Sequence, residues 1–303
     1  MVELGSDVLF FRFPLVHPEA RLLVGFTRAL RTPEDDGYHP QPPTFGRLPL
    51  CHVEDFAARL PEAWKAHGGA MLPIRPEEAV NIQFYSQPLP CSDLAWPFAV
   101  KVATGKVNAL SGGEWNEEIS AGVQDYLVAP PQTDIGGYCT KKGETRQFVA
   151  RPLGEGRTLE ERLGGLALHG GIQLAVYPLK AEAFARRFGE AKPRRPGAGR
   201  VREPAAYYSA QMGLDAGGAL RRYIYKDPYG ASDWDAEGRS RIFVHLLDAG
   251  VLEEITGRKP HDRAFKAGEY DKADLPWYDA GKKGVRVITG SEALASISGR
   301  NPK

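Results

Sequence analysis

The sequence predicts a β-rich α+β fold: an antiparallel β-sandwich or barrel-like core with short peripheral helices. Three observations predict it. Apolar residues alternate with period two in several segments, as a half-buried strand requires. The chain holds 34 glycines and 24 prolines, which suits many tight turns. Helical spacing is confined to a few short stretches.

Val8 to Phe13 and Arg21 to Leu30 read as an N-terminal hairpin that adds to the central sheet. In the second strand Leu22, Val24 and Phe26 share one face. Arg31 to Leu50 follows as a long polar stretch with prolines 33, 40, 42, 43 and 49. It is either a packed connector anchored by Tyr38, Phe45 and Leu48, or an arm that wraps a partner. Val53, Phe56, Ala57, Leu60 and Trp64 have helical spacing over His52 to His67, with Pro61 placed to split the helix and Gly68-Gly69 to end it. Val80 to Tyr85 is an alternating strand.

The densest strand signals lie between Trp96 and Lys180. Phe98, Val100 and Val102 alternate with Ala99, Lys101 and Ala103, and Thr104-Gly105-Lys106 turns the chain back into Val107 to Leu110. Tyr126 to Ala129 is a short strand ended by Pro130-Pro131. Arg146 to Arg151 and Ile172 to Tyr177 are two more. Between them Thr158 and Glu161 have capping-box spacing for a helical turn. Ala181 to Phe188 is a short helix. Residues 1–190 thus form a β-rich core with its hairpin and helix, and 191–203 a basic Pro/Gly linker. Residues 204–303 form a smaller β-rich lobe or a part of the same body. In it Leu220 to Tyr225 is a strand that exposes Arg222, and Ile242 to Leu247 a central strand. Asp248 to Thr256 is helical, and Leu275 to Tyr278 and Val285 to Ile288 are short closing pieces.

The phrases WPFAVKVATGKVNALSG, QDYLVAPPQTDIGG, RQFVARPLGEGRTLEERLGG and GGIQLAVYPLK resemble a family of uncharacterised bacterial and fungal proteins. The likeness extends over most of the chain. The family's usual Trp-Leu-Asp-Gly is Thr133-Asp134-Ile135-Gly136 here, and its usual Met after RQFVA is Arg151. The resemblance implies one coherent fold and brings no established activity.

Composition narrows the function classes. Net charge is +1 over 303 residues, so bulk electrostatics favour neither nucleic acid nor an anionic membrane. No apolar run approaches the ~18 residues of a membrane span. The N-terminus lacks the pattern of a secretory leader. Cys51, Cys91 and Cys139 are an odd number without CxxC spacing, so cytoplasmic residence is expected.

The sequence has no Walker loop, GxGxxG after a strand, GxSxG or HExxH. His39, His52 and His67 with Cys51 are a weak metal set. His245, inside an apolar strand, is a candidate general base or a core histidine bonded to a carbonyl. Asp227, Asp233, Asp235 and Glu237 are the strongest carboxylate group. They offer acid/base residues beside Trp234, weak Ca²⁺ ligands in Asp233, Asp235 and Glu237, or an ordinary Asp-Pro turn. No resident metal or other cofactor is expected. Trp96, Trp115, Tyr138, Trp234 and Trp277 lie near turns and are candidate contact residues. Two functions follow. One is a non-catalytic structural or binding protein that self-associates or holds another protein. The other is a hydrolase-like enzyme acting on a glycan or polar small molecule through Asp227, Asp233, Asp235 and His245.

Overall fold

The computed structural model describes residues 1–35, 37–89, 92–189, 211–262, 267–272 and 286–297. The predicted linker 191–203 and the strand at Leu275 to Tyr278 lie outside the described residues. So does Trp277.

The chain begins with β1 (Val2–Gly5), β2 (Val8–Arg12) and β3 (Arg21–Ala29), followed by β4 (Thr44–Arg47) and β5 (Cys51–His52). A 3-10 turn over Glu54–Arg59 and α1 (Glu62–His67) lead into β6 (Ala70–Ile74) and β7 (Ala79–Ser86). The central stretch gives β8 (Phe98–Thr104), β9 (Val107–Asn108), β10 (Leu127–Ala129), β11 (Asp134–Ile135), β12 (Gly137–Lys141) and β13 (Glu144–Pro152). Then come α2 (Leu159–Gly164), β14 (Ile172–Pro178) and α3 (Ala181–Phe188). The last elements are β15 (Gln211–Arg221), β16 (Ser240–Asp248), α4 (Leu252–Thr256), α5 (Ala267–Lys272) and α6 (Glu292–Ile297).

Among the described residues all sixteen strands belong to one hydrogen-bonded sheet. Its main path runs β1-β2-β3-β7-β13-β15-β16-β14-β8-β10. The pairs are antiparallel except β16 with β6. The sheet curls around one core without closing into a barrel, so of the two expected shapes the barrel does not form. Side chains near its two ends touch: the ring of Phe13, just after β2, lies 5.6 Å from that of Phe98 on β8. β15 and β16 occupy central places in the sheet, between β13 and β14.

Local chemistry explains most boundaries. Pro61 separates the 3-10 turn from α1, and both halves bury their apolar side, Phe56 and Trp64, against Met71 and Leu247. Thr158 and Glu161 form the reciprocal cap that starts α2. The Glu161 carboxylate also accepts from the amides of Gly154 and Gly156, closing the preceding loop.

β15 departs from the expected strand at Leu220 to Tyr225. It starts nine residues earlier and ends at Arg221. Arg222 therefore lies beyond the strand and is buried, not exposed. The sequence obscures this strand because Gly217 and Gly218 break its alternation. Packing requires Gly218: a Cβ there would stand 2.2 Å from the carbonyl oxygen of Pro33. That close approach lets the Pro-rich stretch lie along β15, where the His39 amide donates to Ala219 O at 3.0 Å and the Arg221 amide to His39 O at 2.9 Å. The stretch is a packed connector over this part of its length.

Gly218→Ala is expected to destabilise the fold by about 1–3 kcal/mol through overpacking, and to raise amide exchange at His39 and Arg221. Gly164→Ala, where a Cβ meets nothing within 4 Å, is expected to be neutral or stabilising. Equal melting temperatures for the two variants would contradict the packing role of Gly218.

Candidate functional site

The predicted catalytic residues do not converge. Asp227 Oδ2 accepts from Tyr126 Oη at 2.6 Å, Trp234 Nε1 at 2.9 Å and the Gly230 amide at 3.2 Å, and Oδ1 accepts from the Tyr229 amide at 2.8 Å. Four donors make it the organiser of its own turn. Burial, then the bond to Asp227, raises the Tyr126 phenol, so it remains a donor. Asp233 pairs with Arg186 at 2.7 Å. Asp235 accepts from the Gly238 amide at 2.9 Å. Among the described residues no three metal-ligating side chains come together.

His245 lies far from these carboxylates. The Asp235 amide bonds Pro178 O at one end of β14, and Val244 pairs with Ile172 at the other end. At strand rise that separation is roughly 20 Å. The imidazole stacks on Trp64 with centroids 4.4 Å apart, and Nε2 lies 3.1 Å from Gly68 O. Burial depresses its pKa to about 4. At neutral pH it is an uncharged core group.

The aromatic candidates divide similarly. Trp96, Tyr138 and Trp234 are buried and not available at the surface. Trp96 stacks on Phe184 at 4.2 Å and donates to Leu179 O at 3.0 Å. Tyr138 Oη meets Thr104 Oγ1 at 2.5 Å and donates to Leu214 O at 3.2 Å. Each ring satisfies its polar end inside the core. Trp115 alone of the described four is half-buried, at the mouth of a cleft.

A different cleft gathers polar groups. On β7 Val80, Ile82 and Phe84 enter the core, so Asn81, Gln83 and Tyr85 share the opposite face. Asp134 on β11 pairs with Gln83. The stretch Gln41–Thr44 rises beside them as a wall. Together they enclose a cleft of about 560 Å³. Beneath it an inner chamber of about 20 Å³ is lined by Asn81, Thr145, Gly136 and Arg222 among others. That volume holds about one water or one hydroxyl group.

An ion pair forms the floor. The Arg222 guanidinium donates to Asp134 Oδ1 and to Gln41 Oε1. Asp134 Oδ2 accepts from Gln41 Nε2 at 2.9 Å, and Oδ1 from Thr133 Oγ1 at 2.9 Å. Burial lowers the Arg222 pKa to about 10, which leaves it charged at neutral pH. The pair cancels, so the floor carries no net charge. Two polar atoms of residues lining the chamber are buried and lack a partner among the described residues, Arg222 Nε and Thr145 Oγ1, and the Asn81 side chain lines the same chamber. Thr145 is fully buried and Asn81 is 5% exposed. Buried polar groups are nearly always hydrogen-bonded, so two such atoms around one chamber mark a place for an outside partner. A Cβ on Gly136 would reach 2.9 Å from Asn81 Oδ1, so glycine is what lets that carboxamide lie there.

Sequence reasoning missed Asn81, Gln83 and Arg222 as site residues. The available signals were the polar outward positions of β7 and the departure at Thr133-Asp134. No family model, curated protein or solved structure matches the chain. No helix among the described residues is long and apolar enough to cross a membrane.

The His245 shift has a definite sign. Its folded value of about 4 lies below the ordinary 6.5, so between those limits the unfolded chain binds more protons. Stability is unaffected above pH 6.5 and falls as pH drops toward 4. The loss is expected to reach about 2–3 kcal/mol. His169, also lowered by burial and then by Lys106, adds in the same direction. His245→Phe should flatten the stability profile between pH 6.5 and 4.5, as followed by urea midpoints. An unchanged slope would contradict a neutral buried imidazole.

Proposed function

We propose that this protein is a non-catalytic binding protein whose partner presents a neutral, hydroxyl- or amide-rich group to the Asn81–Arg222 cleft. A sugar unit or a similar polar small molecule has that chemistry. The observation that carries the reading is the pair of buried unpartnered polar atoms, Arg222 Nε and Thr145 Oγ1, beside the Asn81 side chain around one chamber beneath an open cleft.

The rest of the lining supports it. Asn81 and Gln83 each carry both a donor and an acceptor, the pairing that a hydroxyl also offers, while Gln41 is held in the floor pair. Tyr85, 41% exposed, gives a ring face at the lip, and its hydroxyl is tied to Gln83 Oε1. The cancelled Asp134–Arg222 charges favour a neutral ligand over an ion. A cleft of this size matches the range of small-molecule sites. Hydrolysis at the Asp227–Asp235 loop has less support, because those carboxylates are engaged in the turn and in an ion pair. Self-association through an exposed Arg222 loses its premise, since that side chain is buried and lines the chamber beneath the cleft.

The test uses cellobiose, chitobiose and lactose as neutral probes and glucuronate as a charged one, in calorimetry on the full chain. At least one neutral probe should bind in preference to glucuronate. Thr145→Val removes an unpartnered buried hydroxyl at constant shape, so it should keep or raise the melting temperature. The same change should weaken binding about 5-fold, the equivalent of about 1 kcal/mol for one hydrogen bond. Asn81→Ala should weaken it at least as much. No binding of any neutral probe, or unchanged affinity in both variants, would overturn the reading.

A further inference from the structure

A second cleft, of about 370 Å³, opens over β14 and β16. Its floor is Gln173 and Phe243, which pair across the two strands. One wall is the C-terminal end of α1 with His67, and the other carries Lys106 and Trp115. We infer that this cleft is an independent binding site for a small planar anion, an aromatic ring bearing a carboxylate or phosphate.

Lys106 is the first reason. It stands in the two-residue turn between β8 and β9 with φ +60°, next to Gly105 at φ +52°. Such turns favour glycine or asparagine at both places, and a lysine there is held at a conformational cost. Backbone strain of this kind concentrates at functional positions. The Lys106 amide donates to Gln173 Oε1 at 2.8 Å, which fixes the turn to the cleft floor. Among the described residues no carboxylate lies within ion-pair distance of its ammonium group.

Charge at the rim is the second reason. Glu117 is already shared by Arg241 and by Arg239, the latter at 3.0 Å. Burial pushes the Glu117 carboxyl up, but hydrogen bonds from Arg241 and Arg239 outweigh it and hold the group ionised. The lining charges are then Lys106 and Arg241 against Glu117 alone, an excess of one positive charge. An anion is the complement.

The rings are the third reason. Trp115 is fixed by its amide bond to Lys106 O at 2.8 Å, and its indole lies 5.9 Å from the ammonium of buried Lys101. That ammonium is itself locked by Asp125 at 2.7 Å, Asn116 Oδ1 at 2.9 Å and Glu118 O at 2.6 Å. On the other side the Phe243 and His67 ring centroids lie 5.3 Å apart, tilted by 48°. The half-buried Trp115 and Phe243 rings, with one unpaired cation beside them, suit a flat ligand with a single anionic group.

The experiment measures ligand-observed NMR and calorimetry on the full chain with two matched pairs: indole-3-acetate against indole-3-acetamide, and adenosine monophosphate against adenosine. The two arms separate a carboxylate from a phosphate ligand. In at least one arm the anion should bind ten-fold or more tightly than its neutral partner. Lys106→Gly should lose that binding ten-fold or more while the melting temperature holds or rises, because glycine accepts the turn. Trp115→Ala should weaken it too. Thr145→Val, in the other cleft, should leave it unchanged. No binding of either anion, equal binding of the neutral partners, or full binding by Lys106→Gly would overturn the inference.

Discussion

The buried carboxamide of Gln147 is the contact on which the arrangement of the first cleft depends. From β13 it donates to Leu30 O at 2.8 Å and accepts from the Thr32 amide at 3.0 Å and from Thr32 Oγ1 at 3.3 Å. A proline-rich segment has few amides of its own to pair its carbonyls, and a buried carbonyl without a donor is costly. One amide side chain supplies both a donor and an acceptor at the point where β3 ends. Four residues later on the same strand, buried Arg151 binds Glu34 at 3.0 Å and also pairs with Glu77. The segment is thereby pinned to the sheet on both sides of Pro33, and Gln41 to Thr44 come to stand over β7 as a wall.

The same device recurs along the chain. Gln124 bonds Tyr126 O and Tyr225 O, and accepts from the Asp227 amide. Glu160 accepts from the amides of His169 and Gly170. Gln173 holds the Lys106 turn, and Lys101 holds the loop around Asn116. The polar letters of the phrases QDYLVAP, RQFVARPLG and GGIQ are largely these latches. Their physical reason is loop closure over a curled sheet, and two of them, Gln147 and Gln173, also line the clefts.

Much of the fold was legible because local rules agreed with the tertiary outcome. The alternation of β2, β3, β7, β8 and β14, the Thr158–Glu161 cap, the break at Pro61 and the span of α3 all follow from residue spacing. β6 was not read, since a five-residue apolar run containing Pro73 resembles a loop. The β15 window is misplaced because Gly218 answers to the Thr32–Pro33 segment almost two hundred residues away in the chain, and that wrong window puts Arg222 on the surface. The sites were the least legible. Asp134 and Arg222 are 88 residues apart, and neither stands in a motif. Asn81 and Gln83 look like any outward strand positions until the Pro-rich wall covers them.

The two clefts differ in the chemistry they offer. One has cancelled charge and spare hydrogen-bonding groups, and the other has rings and an excess cation. The most direct measurement is ¹⁵N NMR of the Arg222 Nε–H and the Asn81 side-chain amide during titration with a neutral disaccharide that binds. Large shifts at both signals, with the Trp115 indole signal still, are the predicted result. Binding that leaves Arg222 Nε–H and Asn81 unmoved would contradict a ligand site in the cleft under the Pro-rich segment.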